Sequence, residues 1–211
     1  MKRNLLLTLI SMLVIVSLSC VSPFYGTARI EPGWHMNSGL ALTTFIGGAV
    51  GEMPGYYIGG RGDFELMYGF NKNLQAHIRA GLGLGLTPQI SGGVHPWPVS
   101  PLIDGGIGLQ GSLPTKFLTP ALRLEFLTRG PISPTLLLGI GKKEIVILGA
   151  DITWIFYKLL LMEEGAVNGP NGFVVVHFSP AWNIALSCGI PSTKWDLQFP
   201  LVSLGLGYTI K

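Results

Sequence analysis

The chain has 211 residues, of which only 12% are charged, while 48% are hydrophobic and 30 are glycine. A soluble domain carries about 25% charged residues, so this sequence has too little charge for an ordinary water-exposed surface. The net charge is only +3 and the sequence has no run of basic residues, which argues against a nucleic-acid partner. Large aliphatic and aromatic residues are plentiful, which argues against a disordered chain.

The first 19 residues have the organisation of a secretory signal peptide. Lys2 and Arg3 form a positive start, and residues 5–18 are apolar and uncharged. This apolar stretch is too short for an ordinary membrane-spanning helix, and small residues follow it. We therefore predict that residues 1–19 are a signal peptide and that the chain is exported.

The residues around Cys20 bear on how the signal peptide is removed. The sequence Ser17-Leu18-Ser19-Cys20 resembles the bacterial lipobox, although that box has leucine where this chain has Ser17. The resemblance implies a lipoprotein with lipidated Cys20, and ordinary signal-peptidase cleavage after Ser19 is the alternative. We predict that residues 20–33 form a periplasmic N-terminal leader and that residues 34–211 form a barrel. With Cys20 modified, no intrachain disulfide is expected, because Cys188 is the only other cysteine.

The clearest structural signal lies in residues 57–86. Apolar residues alternate with polar residues and glycine over two runs joined by a polar turn at 71–73, which predicts a long β-hairpin. A three-residue turn would place Glu65 opposite Arg79, so that opposite charges pair across the strands. A shift of one residue would turn the charged side chains towards lipid.

Alternation of this kind recurs along most of the chain. It predicts nine strands, at residues 34–46, 57–70, 74–86, 103–113, 118–126, 136–140, 148–156, 174–186 and 197–210. A bacterial single-chain barrel has an even number of strands, so the true number is eight or ten, with the miscount expected around 134–157 or 173–200. The predicted fold is all-β: a closed antiparallel up-and-down transmembrane β-barrel of 8–10 strands.

Two other architectures are alternatives to the barrel. A transmembrane helix over residues 145–162 would contain Asp151 and Lys158 and many β-branched residues, which disfavours it. A soluble lipoprotein with a barrel-like β fold is the main competitor. In the preferred interpretation the longer loops, at 87–101 and 158–171, lie outside the membrane and would carry any recognition.

The last strand carries a family resemblance. The sequence from Ser203 to Ile210, with Gly205 and Tyr208 within it, resembles the C-terminal signature of bacterial outer-membrane β-barrel proteins. Lys211 departs from the family pattern, which usually ends on an aromatic residue. The resemblance implies a small barrel in the bacterial outer membrane, in contact with outer-membrane lipid and with the barrel-assembly machinery during biogenesis. A monomer is expected.

The predicted inward face carries nearly balanced charge, with three arginines and five carboxylates. The predicted lumen residues are Arg61, Asp63, Glu65, His77, Arg79, Asp104, Arg123, Glu125, Asp151 and His177. We predict that they form a salt-bridge and hydrogen-bond network that fills a narrow barrel. A polar path for a solute or proton is the alternative.

An enzymatic activity is not predicted. His35, His77 and His177 could combine with Ser179 or Ser187, but the chain has no GxSxG or other diagnostic spacing. Four scattered histidines predict no metal site, and no cofactor is expected. The leading hypothesis is a structural or surface-interaction role. A narrow channel or binder for a small or apolar solute is second, and a lipid-modifying enzyme is third.

Overall fold

The computed structural model describes residues 24–46, 56–86, 99–127, 130–151, 167–192 and 201–210. These residues form ten strands: β1 Gly33–Ile46, β2 Tyr56–Gly69, β3 Leu74–Leu86, β4 Val99–Ser112, β5 Leu118–Leu127, β6 Gly130–Ile140, β7 Val146–Asp151, β8 Val167–His177, β9 Trp182–Ser192 and β10 Leu201–Ile210. Each strand pairs antiparallel with the next, and β1 pairs with β10. The predicted closed up-and-down β-barrel is therefore confirmed.

The register of the β2–β3 hairpin agrees with the prediction from charge pairing. Glu65 lies opposite Arg79, and Met67 lies opposite His77. Along β2 and β3 the charged side chains point into the barrel and the large apolar ones point out. The alternation of the sequence therefore determines the register, because a one-residue shift would exchange the two faces.

The predicted count of nine strands is wrong, and the missing strand lies in the region 173–200. The segment predicted as one strand at 174–186 is β8 and β9, joined by a four-residue turn at 178–181. Even-numbered residues face outward on both strands, so the alternation continues through the turn and conceals it. Three strands also begin earlier than expected: β4 and β8 start within predicted loops, and β6 starts at Gly130.

The outer wall of the barrel is a band of exposed apolar side chains. Leu40 is 71% exposed and Leu82 is 65% exposed, although both lie within strands. Around the barrel the band includes Ile107, Leu124, Leu136, Val174, Ile184 and Leu206. A closed sheet satisfies its backbone hydrogen bonds internally, and an apolar outer face suits a lipid environment. These two features together characterise a membrane-spanning barrel.

The described turns lie at one end of the barrel, which we call the short-turn end. They connect β2 to β3, β4 to β5, β6 to β7 and β8 to β9. The first residue of β1 and the last residue of β10 lie at the same end. Two aromatic pairs lie on the outside at this end. The ring centroids of Trp34 and Tyr68 are 4.9 Å apart, and those of Trp182 and Tyr208 are 4.7 Å apart. Such residues are typical of the girdle at a membrane interface.

In the part of the chain that the structure describes, no helix combines the length and the apolar character needed to cross a membrane.

Candidate functional site

The chain just before β1 lies inside the barrel. We call residues 24–32 the inner segment. Tyr25, Ala28 and Ile30 are almost fully buried, with exposed fractions of 4%, 0% and 2%. These residues belong to the predicted periplasmic N-terminal leader at 20–33, and the structure shows that they are buried among the barrel strands. Their apolar side chains bury surface there that a free leader would expose to water. Cys20 and the signal peptide lie outside the described residues, so lipidation remains a prediction.

One side of the inner segment packs on the wall formed by β9, β10 and β1. A β-carbon added to Gly39, Gly205 or Gly207 would overlap the ring of Tyr25. These three glycines therefore form a slot for that ring, which we call the glycine slot. The Asn183 side-chain amide donates a 3.1 Å hydrogen bond to the Tyr25 carbonyl oxygen. Gly205 and Gly207 both lie within the predicted C-terminal signature, and here they admit an aromatic side chain.

The other side of the inner segment contacts the opposite wall. The Gln110 side-chain amide on β4 donates hydrogen bonds to the carbonyl oxygens of Thr27, at 2.9 Å, and Ala28, at 3.1 Å. Arg29 donates from Nη2 to the Thr115 carbonyl oxygen at 3.0 Å. The segment therefore crosses the interior and connects the β1–β10 wall to β4 and the turn that follows it.

A buried carboxylate holds the inner segment at the short-turn end. Glu144 belongs to the turn between β6 and β7, is 2% exposed and has a φ of 48°, in the left-handed region. Its Oε2 accepts a 2.9 Å hydrogen bond from the Arg29 backbone N–H, and its Oε1 lies 3.9 Å from Arg29 Nε. Burial raises the pKa of Glu144 above its ordinary value, and the contacts with Arg29 offset this only in part.

We expect Glu144→Gln to change how stability depends on pH. Because the folded pKa is raised, the wild-type contribution is complete below the unfolded pKa, about 4.3, and is lost as pH rises through the folded value. The free energy of unfolding of the wild type should therefore fall relative to the variant as the pH rises above the unfolded pKa. Urea unfolding in detergent over that rise in pH measures the difference, with exposed Glu31→Gln as control. A difference that grows in the opposite direction would refute the assignment.

The predicted lumen residues on β2, β3 and β5 meet in one cluster. We call Glu65, His77, Arg79, Arg123 and Glu125 the charged cluster. Arg123 lies at its centre: Nη1 is 2.6 Å from Glu65 Oε1, and Nη2 is 2.6 Å from Glu125 Oε1. Glu125 Oε1 also lies 3.2 Å from Arg79 Nε and 3.1 Å from His77 Nε2. A 2% exposed guanidinium therefore joins β2 to β5 across the interior.

A second ion pair lies beside the charged cluster on β2. Arg61 Nε donates to both carboxylate oxygens of Asp63, at 2.9 and 3.0 Å. A β-carbon on Gly81 or Gly83 of the adjacent strand would overlap the Arg61 side chain. The inward glycines of β3 thus make room for an arginine side chain.

The remaining predicted lumen residues are Asp151, His177 and Asp104. Asp151 accepts a 3.3 Å hydrogen bond from the Ser133 hydroxyl. His177 is the last residue of β8, and its backbone N–H donates to the Ile145 carbonyl oxygen. Asp104 is aligned with Gly81 by the strand register. Among the described residues, no group of three or more histidine, cysteine, aspartate or glutamate side chains is placed to hold a metal ion.

The C-terminal signature residues divide between the two faces of β10. Ser203 shares a 2.7 Å hydrogen bond with Thr43 on β1, inside the closing strand pair. Gly205 belongs to the glycine slot, while Tyr208 and Ile210 are exposed on the outer wall. Recognition by assembly machinery remains a prediction.

Part of the interior is apolar, and none of the predicted lumen residues belongs to this part. The inward side chains that make up this apolar wall are Leu137, Ile147, Phe173, Val175 and Ala185, all buried. They form one core cluster with Tyr25, Ala28 and Ala121, and Phe24 packs against it. A signal was present, because β6, β7 and β8 contain continuous apolar runs rather than alternating ones. Such runs indicate strands buried on both faces.

Little space is left between the inner segment and the charged cluster. A cavity there has a volume of about 20 Å³ and is lined by Tyr25, Asn37, Asp63, Glu65 and Arg123, among others. A volume of that size admits about one water molecule.

No known protein family and no curated protein matches the sequence. Among solved structures, the chain is similar to the translocator domain of the autotransporter NalP from Neisseria meningitidis, at 14% identity over 86% of this chain and 89% of that one, with a TM-score of 0.45. It is also similar to the porin KdgM, at 11% identity over 84% and 99% with a TM-score of 0.40. An outer-membrane channel from Pseudomonas putida F1 gives 10% identity over 90% and 98% with a TM-score of 0.39.

The class of this protein follows from its own structure. Ten antiparallel strands close into a barrel, and their outer face is apolar while their inner face holds buried charge. It is a small membrane-spanning β-barrel protein.

Proposed function

We propose that this chain is a bacterial outer-membrane β-barrel with a closed interior and a structural or surface-interaction role. The observation that carries the proposal is Arg123, which links Glu65 on β2 to Glu125 on β5 across the interior. The inner segment occupies the space beside it, and its Phe24 ring lies 5.2 Å from the Arg123 guanidinium carbon. A barrel filled in this way has no continuous water path at that depth.

The proposed location rests on the export signal, the outward apolar band and the C-terminal strand. In that membrane the short-turn end would face the periplasm. The loops predicted to carry recognition are 87–101 and 158–171, of which residues 87–98 and 158–166 lie outside the described residues. No enzymatic activity is proposed.

Planar-bilayer recording tests the closed interior. We expect the refolded full chain to insert without producing steady conductance steps, because the charged cluster and inner segment leave space for about one water. Unboiled samples should migrate faster in SDS gels, which verifies that the inserted barrel is folded. An open porin recorded under the same conditions serves as control. Steady conductance from folded wild-type protein would reject closure and favour the narrow channel.

A second candidate function is the binding of an apolar molecule inside the barrel. The observation that favours it is the apolar wall, where Ile147, Val175 and Ala185 are fully buried. A purely water-filled lumen would not favour such residues, since each would expose apolar surface to water. Binding of a fluorescent apolar probe to the folded barrel, competed by an alkane, would support this function, and no binding would count against it.

A further inference from the structure

We infer that the barrel interior contains a binding site for a peptide segment, and that residues 24–30 of the chain are its built-in occupant. The inference rests on the proposed closed barrel and specifies the ligand class of its interior. A peptide of the same sequence, added separately, should bind when the built-in segment is weakened. Three features of the interior support this assignment.

The first feature is recognition of the peptide backbone. Asn183 on β9 and Gln110 on β4 donate side-chain amide hydrogen bonds to the carbonyl oxygens of Tyr25, Thr27 and Ala28. The two amides belong to strands on different walls of the barrel, so they bind the segment from two sides. Carbonyl oxygens are the acceptors that every peptide backbone presents. A hydrocarbon ligand would leave these buried donors unsatisfied, at a cost that buried polar groups rarely tolerate.

The second feature is a pair of pockets for aromatic side chains. The glycine slot admits the Tyr25 ring, because any β-carbon at its three positions would overlap that ring. The neighbouring Phe24 ring lies between Phe173, with centroids 5.4 Å apart, and Arg123. Adjacent residues thus occupy different pockets, which gives the site a sequence preference for two consecutive aromatic residues.

The third feature is the apolar wall itself. Its residues join Tyr25 and Ala28 in a single buried cluster, with Ile147, Val175 and Ala185 at 0% exposure. Removal of the inner segment would leave this cluster facing an open lumen. Exposure of that surface is unfavourable in proportion to its area, so an emptied site should favour a replacement of similar apolar character.

Thiol labelling of the full chain tests the inference. In a background with Cys20→Ser and Cys188→Ser, Ala185→Cys places a reporter in the buried cluster beside Tyr25. A charged maleimide should react with it at least about tenfold faster when Phe24→Ala and Tyr25→Ala are added, because the segment then leaves more often. Val175→Cys is a second reporter. Ile184→Cys, on the outer wall, is the matched control and should react equally in both backgrounds.

Peptide rescue then tests recognition. A synthetic peptide of residues 22–32 should restore protection of the reporter in the weakened chain, and the same peptide with both aromatic residues replaced by alanine should not. If the doubly substituted chain does not fold, as judged by heat-modifiable mobility, Arg29→Ala weakens the segment from its other end.

Two outcomes would overturn the inference. One is labelling of the cysteine reporter at the same fast rate in the chains with the wild-type and the weakened segment. The other is failure of the wild-type peptide to protect the reporter in the weakened chain. These outcomes are separate from those of the closure experiment. Fast labelling of the reporter in the chain with the wild-type segment, without conductance in bilayers, would overturn the peptide site and leave the closed barrel standing. Steady conductance together with a protected reporter would reject the closed barrel alone.

Discussion

We expect Arg123→Met to lower the free energy of unfolding of the barrel by about 3–5 kcal/mol. Arg123 is buried and lies 2.6 Å from both Glu65 and Glu125. Methionine retains part of the side-chain volume but removes the charge, so two carboxylates lose the cation that they share. Breaking a buried ion pair from one side is costly because the remaining charge is uncompensated. Equilibrium unfolding in urea, followed by gel mobility in detergent, measures the loss.

The charged partners provide a compensating control. Adding Glu65→Gln to Arg123→Met removes the carboxylate that has lost its ion-pair partner, while Glu125 keeps Arg79 at 3.2 Å, so part of the lost stability should return. Lys72→Met is the matched control for loss of a positive charge, because Lys72 is exposed in the β2–β3 turn. It should change stability by less than about 0.5 kcal/mol. An Arg123→Met effect as small as that of Lys72→Met would show that the charged cluster does not stabilise the barrel.

The second large effect concerns the outer wall. We expect Leu82→Arg to destabilise the membrane-inserted barrel by about 2–4 kcal/mol, and Leu74→Arg by about 0–1 kcal/mol. Both leucines are exposed on β3, but Leu74 adjoins the short-turn end while Leu82 lies further along the strand. The cost of an outward charge depends on its depth in the bilayer. Unfolding from lipid vesicles, compared between the two variants, measures this depth dependence.

The same pair of variants separates the membrane barrel from its soluble competitor. In a soluble protein tethered at Cys20, both positions would face water and both substitutions would be nearly neutral. Equal small effects, together with release of the protein by carbonate or urea extraction, would contradict the membrane assignment. A large difference between the variants would support it.

Most of the fold could be predicted from the sequence because a barrel strand has different solvents on its two faces. Lipid contacts one face and the packed interior contacts the other, so apolar and polar residues alternate with period two. The β2–β3 hairpin shows this most clearly, and its register agrees residue by residue with the charge-pairing argument. The position of the charged residues on the inner face follows from the same alternation.

The strand count and the inner segment could not be read from that alternation. The turn at 178–181 preserves the parity of β8 and β9, so no break in the pattern marks it. Residues 24–32 have no period at all, because a segment that crosses a lumen has contacts set by the walls around it. Its partners Gln110 and Asn183 lie more than 80 residues away in the chain.

Local alternation was thus sufficient for the architecture of this protein, since the two faces of each strand meet environments that select different side chains. The contacts between side chains in the interior depend on the tertiary structure. Closure of β1 on β10 brings Gly39 beside Gly205 and Gly207, and only then does a slot for Tyr25 exist. Closure likewise brings β2 within reach of Arg123 on β5. Residues far apart in sequence become a site because the barrel has a fixed circumference, and no local pattern records which of them will meet across it.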